Sequence, residues 1–343
     1  MIHPRNIIKP TMAGLFRWLP IKSWIQLTGQ KHIFPFYHGV YEETPTFLKG
    51  LYTVLTPHQF ELHLDELLRH FKPMSLDDLK SYVREGKRGQ SPGFFLSFDD
   101  GLRSCYETIA SILLRKGIPA AFYVNSDFVD NRGLFYHYKN ALLMNAWLGH
   151  DSRPLDQTMS DLLVCQKRDI RKKLLSLSFF AHEKREKLCD LLDVSFDQYL
   201  SQERPYMSWA ELKELEQKGF VIGSHGCQHQ AYGDMSEKKR RLNTKKSFQI
   251  LQNRLEMTYL SFSFPFTDDR VPNDFIDWME KELMLDWSFG TAGLKNDPAP
   301  KHLQRIPMEH LRFKTAKKIL LEEFSYFMVR GLLRKNTVRR DGD

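Results

Sequence analysis

The chain has 343 residues, a formal net charge of +8, 42% hydrophobic residues and 25 phenylalanines. This describes an aromatic-rich folded globule, one large α/β domain or two smaller ones, and excludes a disordered chain. The basic excess lies in local runs, Lys238–Arg241, Lys317–Lys318 and Arg334–Arg340, which suit an acidic substrate or an anionic membrane surface; no aromatic-and-basic RNA motif or paired-cysteine zinc module accompanies them, so nucleic acid is not an expected partner.

The apolar residues of Met1–Gly29 are broken by Arg17, Pro20 and Lys22, so no signal peptide is expected there. Leu15–Leu27 reads as a short amphipathic segment, lying on a membrane or on the body of the protein, within an N-terminal extension over residues 1–32. Ile33–Val40 reads as a strand ending near His38. Thr56–Phe71 is a helix opened by a cap followed by proline, and Ser75–Glu85 is another with Ser75 as cap and Asp78 three positions on. A strand over 94–98, a helix over Tyr106–Lys116 and a strand over Ala120–Val124 continue the alternation. It stops between Asp130 and Pro205, which reads as several helices with no strand between them. It resumes with the helix Ser208–Lys218, again capped by a Ser/Glu pair, and the strand Phe220–Gly223. A basic helix Ser236–Leu255 and strands at Tyr259–Phe264, Asp286–Gly290 and Gln304–Pro307 complete the pattern. Phe313–Arg340 reads as a closing amphipathic helix with a solvated basic face and a frayed end, or as a peripheral membrane contact. Strands separated by helices at this spacing imply a closed or nearly closed β/α barrel over residues 33–312, with a helical insertion at 130–205 and a basic tail at 313–343.

The chemistry gathers at predicted carboxyl ends of strands. GFFLSFDDG (93–101) runs a buried strand into two adjacent carboxylates, Asp99 and Asp100, which need a cation, a shared proton or a metal between them. His225 and His229 follow another strand four positions apart, and a helical turn there would face both imidazoles the same way. Alone, Asp-Asp-Gly is also an ordinary turn and a His pair at this spacing is commonplace. Together they supply two imidazoles and a carboxylate for a divalent ion, with a second carboxylate left as base: the parts of a hydrolase acting on a polarised carbonyl.

Ser97-Phe98-Asp99-Asp100-Gly101 and His225-Gly226-Cys227-Gln228-His229, in that order and on those elements, resemble the two leading motifs of the polysaccharide deacetylases (NodB-homology domain, carbohydrate esterase family four). The resemblance covers roughly Ile33–His310 outside the insertion. It implies an α/β fold, a distorted (β/α)7 barrel, with Asp99 as base, Asp100, His225 and His229 as metal ligands and zinc as the usual divalent ion. Three positions depart from the family pattern. Gly226 replaces a Ser/Thr that helps to fix the histidine loop. Phe262-Ser263-Phe264-Pro265-Phe266 keeps the proline and aromatic of the third motif but has no arginine to pair with the base. Met308-Glu309-His310 is only a loose counterpart of the motif that supplies the acid. Arg305, on a late strand that neighbours the early ones around a closed barrel, is the expected substitute partner for Asp99, and His310 the expected acid. The function implied is removal of acetate from an N-acetylated sugar of a polysaccharide or glycan intermediate. A sugar deformylase and an inactive glycan-binding relative are the alternatives. The four scattered cysteines (Cys105, Cys165, Cys189, Cys227) and the lack of an export signal lead to the expectation of a cytoplasmic enzyme, peripheral to the inner membrane face, acting on an acetylated glycan.

Overall fold

Eight short parallel strands make the main sheet: β1 (Pro35–Tyr37), β2 (Leu96–Phe98), β3 (Ala120–Val124), β4 (Val221–Ser224), β5 (Ser261–Ser263), β6 (Trp287–Gly290), β7 (His302–Gln304) and β8 (Ile306–Pro307). The computed structural model describes residues 19–86, 91–150 and 153–340. In sheet order the strands run β7-β6-β5-β4-β3-β2-β1-β8. Strands β7 and β8 are separated by Arg305 alone, yet β7 pairs with β6 and β8 pairs with β1. One strand, interrupted at Arg305, therefore closes the sheet into the distorted seven-stranded barrel expected from the sequence.

The strands are apolar on both faces because both faces are buried. Along β3, Ala120, Phe122 and Val124 pack under the outer helices, whereas Ala121 and Tyr123 point into the barrel with Val221, Trp287 and Phe289. Gly223 faces inward against Tyr123, where a Cβ would come within 2.3 Å of the ring, so only glycine leaves room for it. Two strands expected to be continuous are broken, at Phe34 and Phe95. Their first residues, His32–Ile33 and Gly93–Phe94, join Lys72–Pro73 in a separate three-stranded sheet before the chain enters the barrel.

The helices start where their caps place them. Thr56, Ser75 and Ser208 each close a capping box, with Gln59, Asp78 and Glu211 respectively. The insertion after β3 contains the helices Tyr136–Leu148, Arg153–Leu163, Ile170–Leu175, His182–Leu192 and Phe196–Glu203. They share their own apolar core, which includes Leu143, Met159, Leu163, Ile170 and Leu188. At the N-terminus, Ile21–Thr28 is a helix whose Ile21, Trp24 and Ile25 are buried and which packs against the last helix, Ala316–Leu332. That part of the expected amphipathic segment lies on the body of the protein; residues 15–18 lie outside the described residues. No helix among the described residues is long and apolar enough to cross a membrane.

The basic face of the closing helix is solvated as expected, with Lys317, Lys318, Arg334 and Lys335 exposed, but the expected frayed end is not found. After Leu332 the chain turns back, and Asn336 and Val338 bond to the backbone of Asn296. Arg340 enters a buried acidic pocket, where its Nη2 donates to Asp268 Oδ2 and Asp297 Oδ2, both at 2.6 Å. Two carboxylates buried together require a counter-charge, and the tail provides it. Breaking a buried pair of this kind from one side costs about 3–5 kcal/mol. We expect Arg340→Met to lose stability of that order in chemical denaturation, and truncation after Lys335 to do the same.

Candidate active site

Asp99 leaves the end of β2 on the same inward phase as Ser97, and its backbone N–H is held by the Tyr37 carbonyl at 2.9 Å. The closing strand brings Arg305 to it from the other side of the barrel. Arg305 Nη1 donates to Asp99 Oδ1 at 2.8 Å and Nη2 to Oδ2 at 2.6 Å, a two-pronged contact between fully buried groups. Ser97 Oγ and Ser263 Oγ accept the other two Nη protons at 2.9 and 2.6 Å, the Nε–H donates to the Gly290 carbonyl at 3.3 Å, and the Ser263 hydroxyl lies 3.2 Å from Asp99 Oδ1 as its donor. The guanidinium also lies over the Phe36 ring, 4.2 Å from its centre. Burial pushes the Asp99 carboxyl up, but the charge and hydrogen bonds of Arg305 outweigh it and hold the group below its ordinary value.

Asp100, His225 and His229 converge beside this pair. Their ligand atoms all lie within 4.8 Å of one another. The expected helical turn is absent: 225–229 is a loop that folds back through left-handed residues, Gly226 at φ 74° and His229 at φ 50°. This also accounts for the glycine. A Cβ at Gly226 would lie 3.0 Å from Asn243 Oδ1, the atom that accepts the Cys227 N–H and so anchors the loop in place of a Ser/Thr hydroxyl. His225 Nδ1 donates to the Ser263 carbonyl at 2.8 Å, which leaves its Nε2 lone pair facing Asp100. Burial lowers the pKa of His225 to about 4, so the ring is neutral. Asp100 Oδ2 accepts a hydrogen bond from Tyr138 of the insertion, while Oδ1 is buried with no aligned donor, 3.0 Å from His229 Nε2 and 3.6 Å from His225 Nε2. An unsatisfied carboxylate oxygen facing two imidazole nitrogens is a donor set that fits a divalent ion. Asp268, Asp297 and His302 form a second such group, but there Arg340 already supplies the positive charge.

These residues open into a cavity of about 310 Å³ lined by His38, Tyr52, Asp99, Asp100, His225 and His229, with aromatic walls from Phe135, His137, Tyr138, Phe264 and Phe266. The insertion thus contributes directly to the site. His310 is not among the lining residues; its backbone carbonyl is bound by Thr53. The preceding residue, Glu309, reaches the site instead and binds His38 Nδ1 at 2.5 Å. Burial alone would lower the pKa of His38, but the Glu309 charge and hydrogen bond overcome it and raise the value to about 9. The sequence pointed to His38 only as a polar residue at a strand end; Glu309, Ser263 and Tyr138 carried no signal of their partners.

The family model for polysaccharide deacetylase matches residues 86–280. The chain belongs to the polysaccharide deacetylase family. As a member it is a hydrolase of carbon–nitrogen amide bonds on sugars. No curated protein matches the chain. Among solved structures it is similar to the Streptococcus pyogenes deacetylase PplD in complex with acetate (13% identity, TM-score 0.54, covering 85% of this chain and 98% of that one). It is also similar to BC0361, a polysaccharide deacetylase from Bacillus cereus (14%, TM-score 0.51, 85% and 69%), and to a de-N-acetylase from Aggregatibacter actinomycetemcomitans (14%, TM-score 0.51, 84% and 99%). At these identities the likeness establishes the fold alone.

If the deacetylase binds its ion through the three converging groups, equilibrium dialysis with zinc will show near-complete loss of binding in Asp100→Ala, His225→Ala and His229→Ala. Asp99→Asn should keep the ion. Tyr138→Phe, which frees Asp100 to rotate, should weaken binding by about 10–100-fold. Equal loss in Asp99→Asn would show the carboxylate roles to be wrong.

Proposed function

We propose that this deacetylase removes the acetyl group from an N-acetylated sugar unit of a glycan, using a divalent ion, zinc by its donor set, held by Asp100, His225 and His229. The arrangement that carries this is the pair of adjacent carboxylates in two different environments. One is locked to an arginine as an anion, and the other faces two imidazoles. Bound there, the ion supplies the Lewis acidity that makes water nucleophilic near neutral pH and polarises the amide carbonyl.

The chain's own residues then move the protons. Asp99, kept ionised by Arg305, accepts a proton from the attacking water as its oxygen adds to the amide carbon. His38, kept protonated by Glu309, donates a proton to the departing nitrogen as the carbon–nitrogen bond breaks, leaving acetate and a free amine. His38 takes the acid role expected of His310 because it lines the cavity and His310 does not. The two groups carry opposite protonation states at neutral pH because their partners carry opposite charges.

Acetate release from a panel of N-acetylated glycans tests the activity directly, and no release from any of them would overturn it. Asp99→Asn should lower turnover by about 10²–10⁴-fold. Arg305→Met should raise the Asp99 pKa. The base is then lost at a higher pH, so the acidic limb of the pH–rate profile moves up while bound metal is unchanged. Glu309→Gln should lower the His38 pKa. The acid is then lost at a lower pH, so the basic limb moves down. Limbs that stay in place would remove these two residues from their roles.

A further inference from the structure

The ordered tail leaves two of its leucines in solvent. Leu332 and Leu333 are 79% and 61% exposed, although Val338, a few residues on, is buried. Fraying does not explain them, because the turn that carries them is closed by backbone hydrogen bonds. Leu333 N–H donates to the Arg330 carbonyl at 3.1 Å, Arg334 N–H to Gly331 at 3.0 Å and Lys335 N–H to Arg330 at 2.8 Å. The Arg330 Nε–H donates in return to the Lys335 carbonyl at 2.8 Å.

A third exposed leucine joins them from the other end of the chain. Leu27, 58% exposed, lies outside the face of Ile21, Trp24 and Ile25 that is buried where its helix packs on Ala316–Leu332. Asn296 ties the two segments together. Its side-chain oxygen accepts from Gln30 Nε2 at 3.4 Å, and its backbone N–H donates to the Asn336 carbonyl at 2.9 Å. Gln30 stands just before the first strand, so this corner lies where the barrel strands begin, at the opposite end from the catalytic cavity. The charge around it has one sign. Arg334, Lys335 and Arg339 are exposed, and none is paired with a carboxylate among the described residues. No Asp or Glu precedes Glu42, and residues 324–343 hold five basic residues against two acids, Asp341 and Asp343, which lie outside the described residues.

We propose that this corner docks the protein on an anionic lipid bilayer, with Leu27, Leu332 and Leu333 entering the headgroup region and Arg334, Lys335 and Arg339 meeting lipid phosphates. The combination of groups selects this occupant. A nucleic acid would meet the cations and leave the leucines in water. A second copy of the chain would cover the leucines and bring like charges face to face. A bilayer surface takes up both, since apolar tips sink between headgroups whose charge opposes that of the arginines and lysine. Docked this way, the protein turns its catalytic cavity away from the bilayer, toward glycan in the aqueous phase.

The test is co-sedimentation of the full chain with phosphatidylcholine vesicles, either pure or carrying about one quarter phosphatidylglycerol. The chain should bind the anionic vesicles, bind the neutral ones far less, and lose affinity as salt is raised. Arg334→Gln/Lys335→Gln should lose about 30-fold at low salt. Leu332→Ser/Leu333→Ser should lose about tenfold, with an unchanged thermal midpoint because neither side chain is packed. Leu332→Phe/Leu333→Phe should retain binding. Leu311→Ser/Phe313→Ser, which removes exposed apolar groups just after the closing strand, at the catalytic end, should bind as the unmodified chain does. Absence of vesicle binding, binding indifferent to lipid charge or salt, or loss confined to the Leu311/Phe313 variant would overturn the proposal. So would a concentration-dependent sedimentation coefficient abolished by Leu332→Ser/Leu333→Ser without any vesicle binding, which would mark the corner as a self-association face.

Discussion

The buried contact between Arg305 and Asp99 is the constraint on which the rest of this structure depends. An ion pair with both partners out of water is favourable only when its geometry is close to ideal and its remaining protons are satisfied. Both conditions are met here, by two parallel hydrogen bonds to the carboxylate and by the hydroxyls of Ser97 and Ser263 and the Gly290 carbonyl. Those serines stand at inward positions of β2 and β5 where an apolar barrel would carry aliphatic side chains. Arg305 also occupies the single position between β7 and β8, where the sheet closes. Barrel closure and the charge state of the proposed base are therefore set by the same residue.

The second carboxylate is governed by different neighbours. Asp100 is turned away from Arg305 by its left-handed backbone, φ 71°, which Gly101 continues at φ 70°. Its side chain consequently meets the two histidines, and Tyr138 takes up the oxygen that faces away from them. Adjacent residues in a strand already point in opposite directions; the tight turn separates them further, into an arginine-bound and an imidazole-facing carboxylate. The insertion is coupled to this arrangement through Tyr138, so its helices do more than cover the rim. They contribute one hydrogen bond to the candidate metal site and part of the aromatic surface around it.

A comparable logic operates at the chain's end. Asp268 accepts the Thr291 N–H, and Thr291 and Phe266 both line the catalytic cavity. Asp268 and Asp297 also accept from Gln304, the residue before Arg305. The charge that keeps these carboxylates buried comes from Arg340, beyond the last helix. One wall of the site is thus braced by a segment that contributes nothing to its surface.

Much of the fold was legible in the sequence, because caps, periodicity and glycine stops are local signals. The capping boxes at Ser75 and Ser208, the strand Ala120–Val124 and the strand-free insertion all follow from neighbouring residues. The two motifs around Asp99 and His225 were legible for the same reason, each lying within a few residues of chain. Arg305 could be reached by one further step, since closing a barrel makes its last strand a neighbour of its first. What local signals could not decide was phase. Glu309 and His310 follow β8 in succession, and only the register of Ile306 against Pro35 determines that Glu309, 271 residues from His38, is the one to meet it. The same holds for Tyr138 on Asp100, for the left-handed loop that replaces a helical turn at His225, and for Arg340 in its acidic pocket. Each joins residues whose separation depends on how strands close and helices pack. Propensity and spacing report only on a residue's immediate neighbours, so these contacts were decided by the tertiary structure alone.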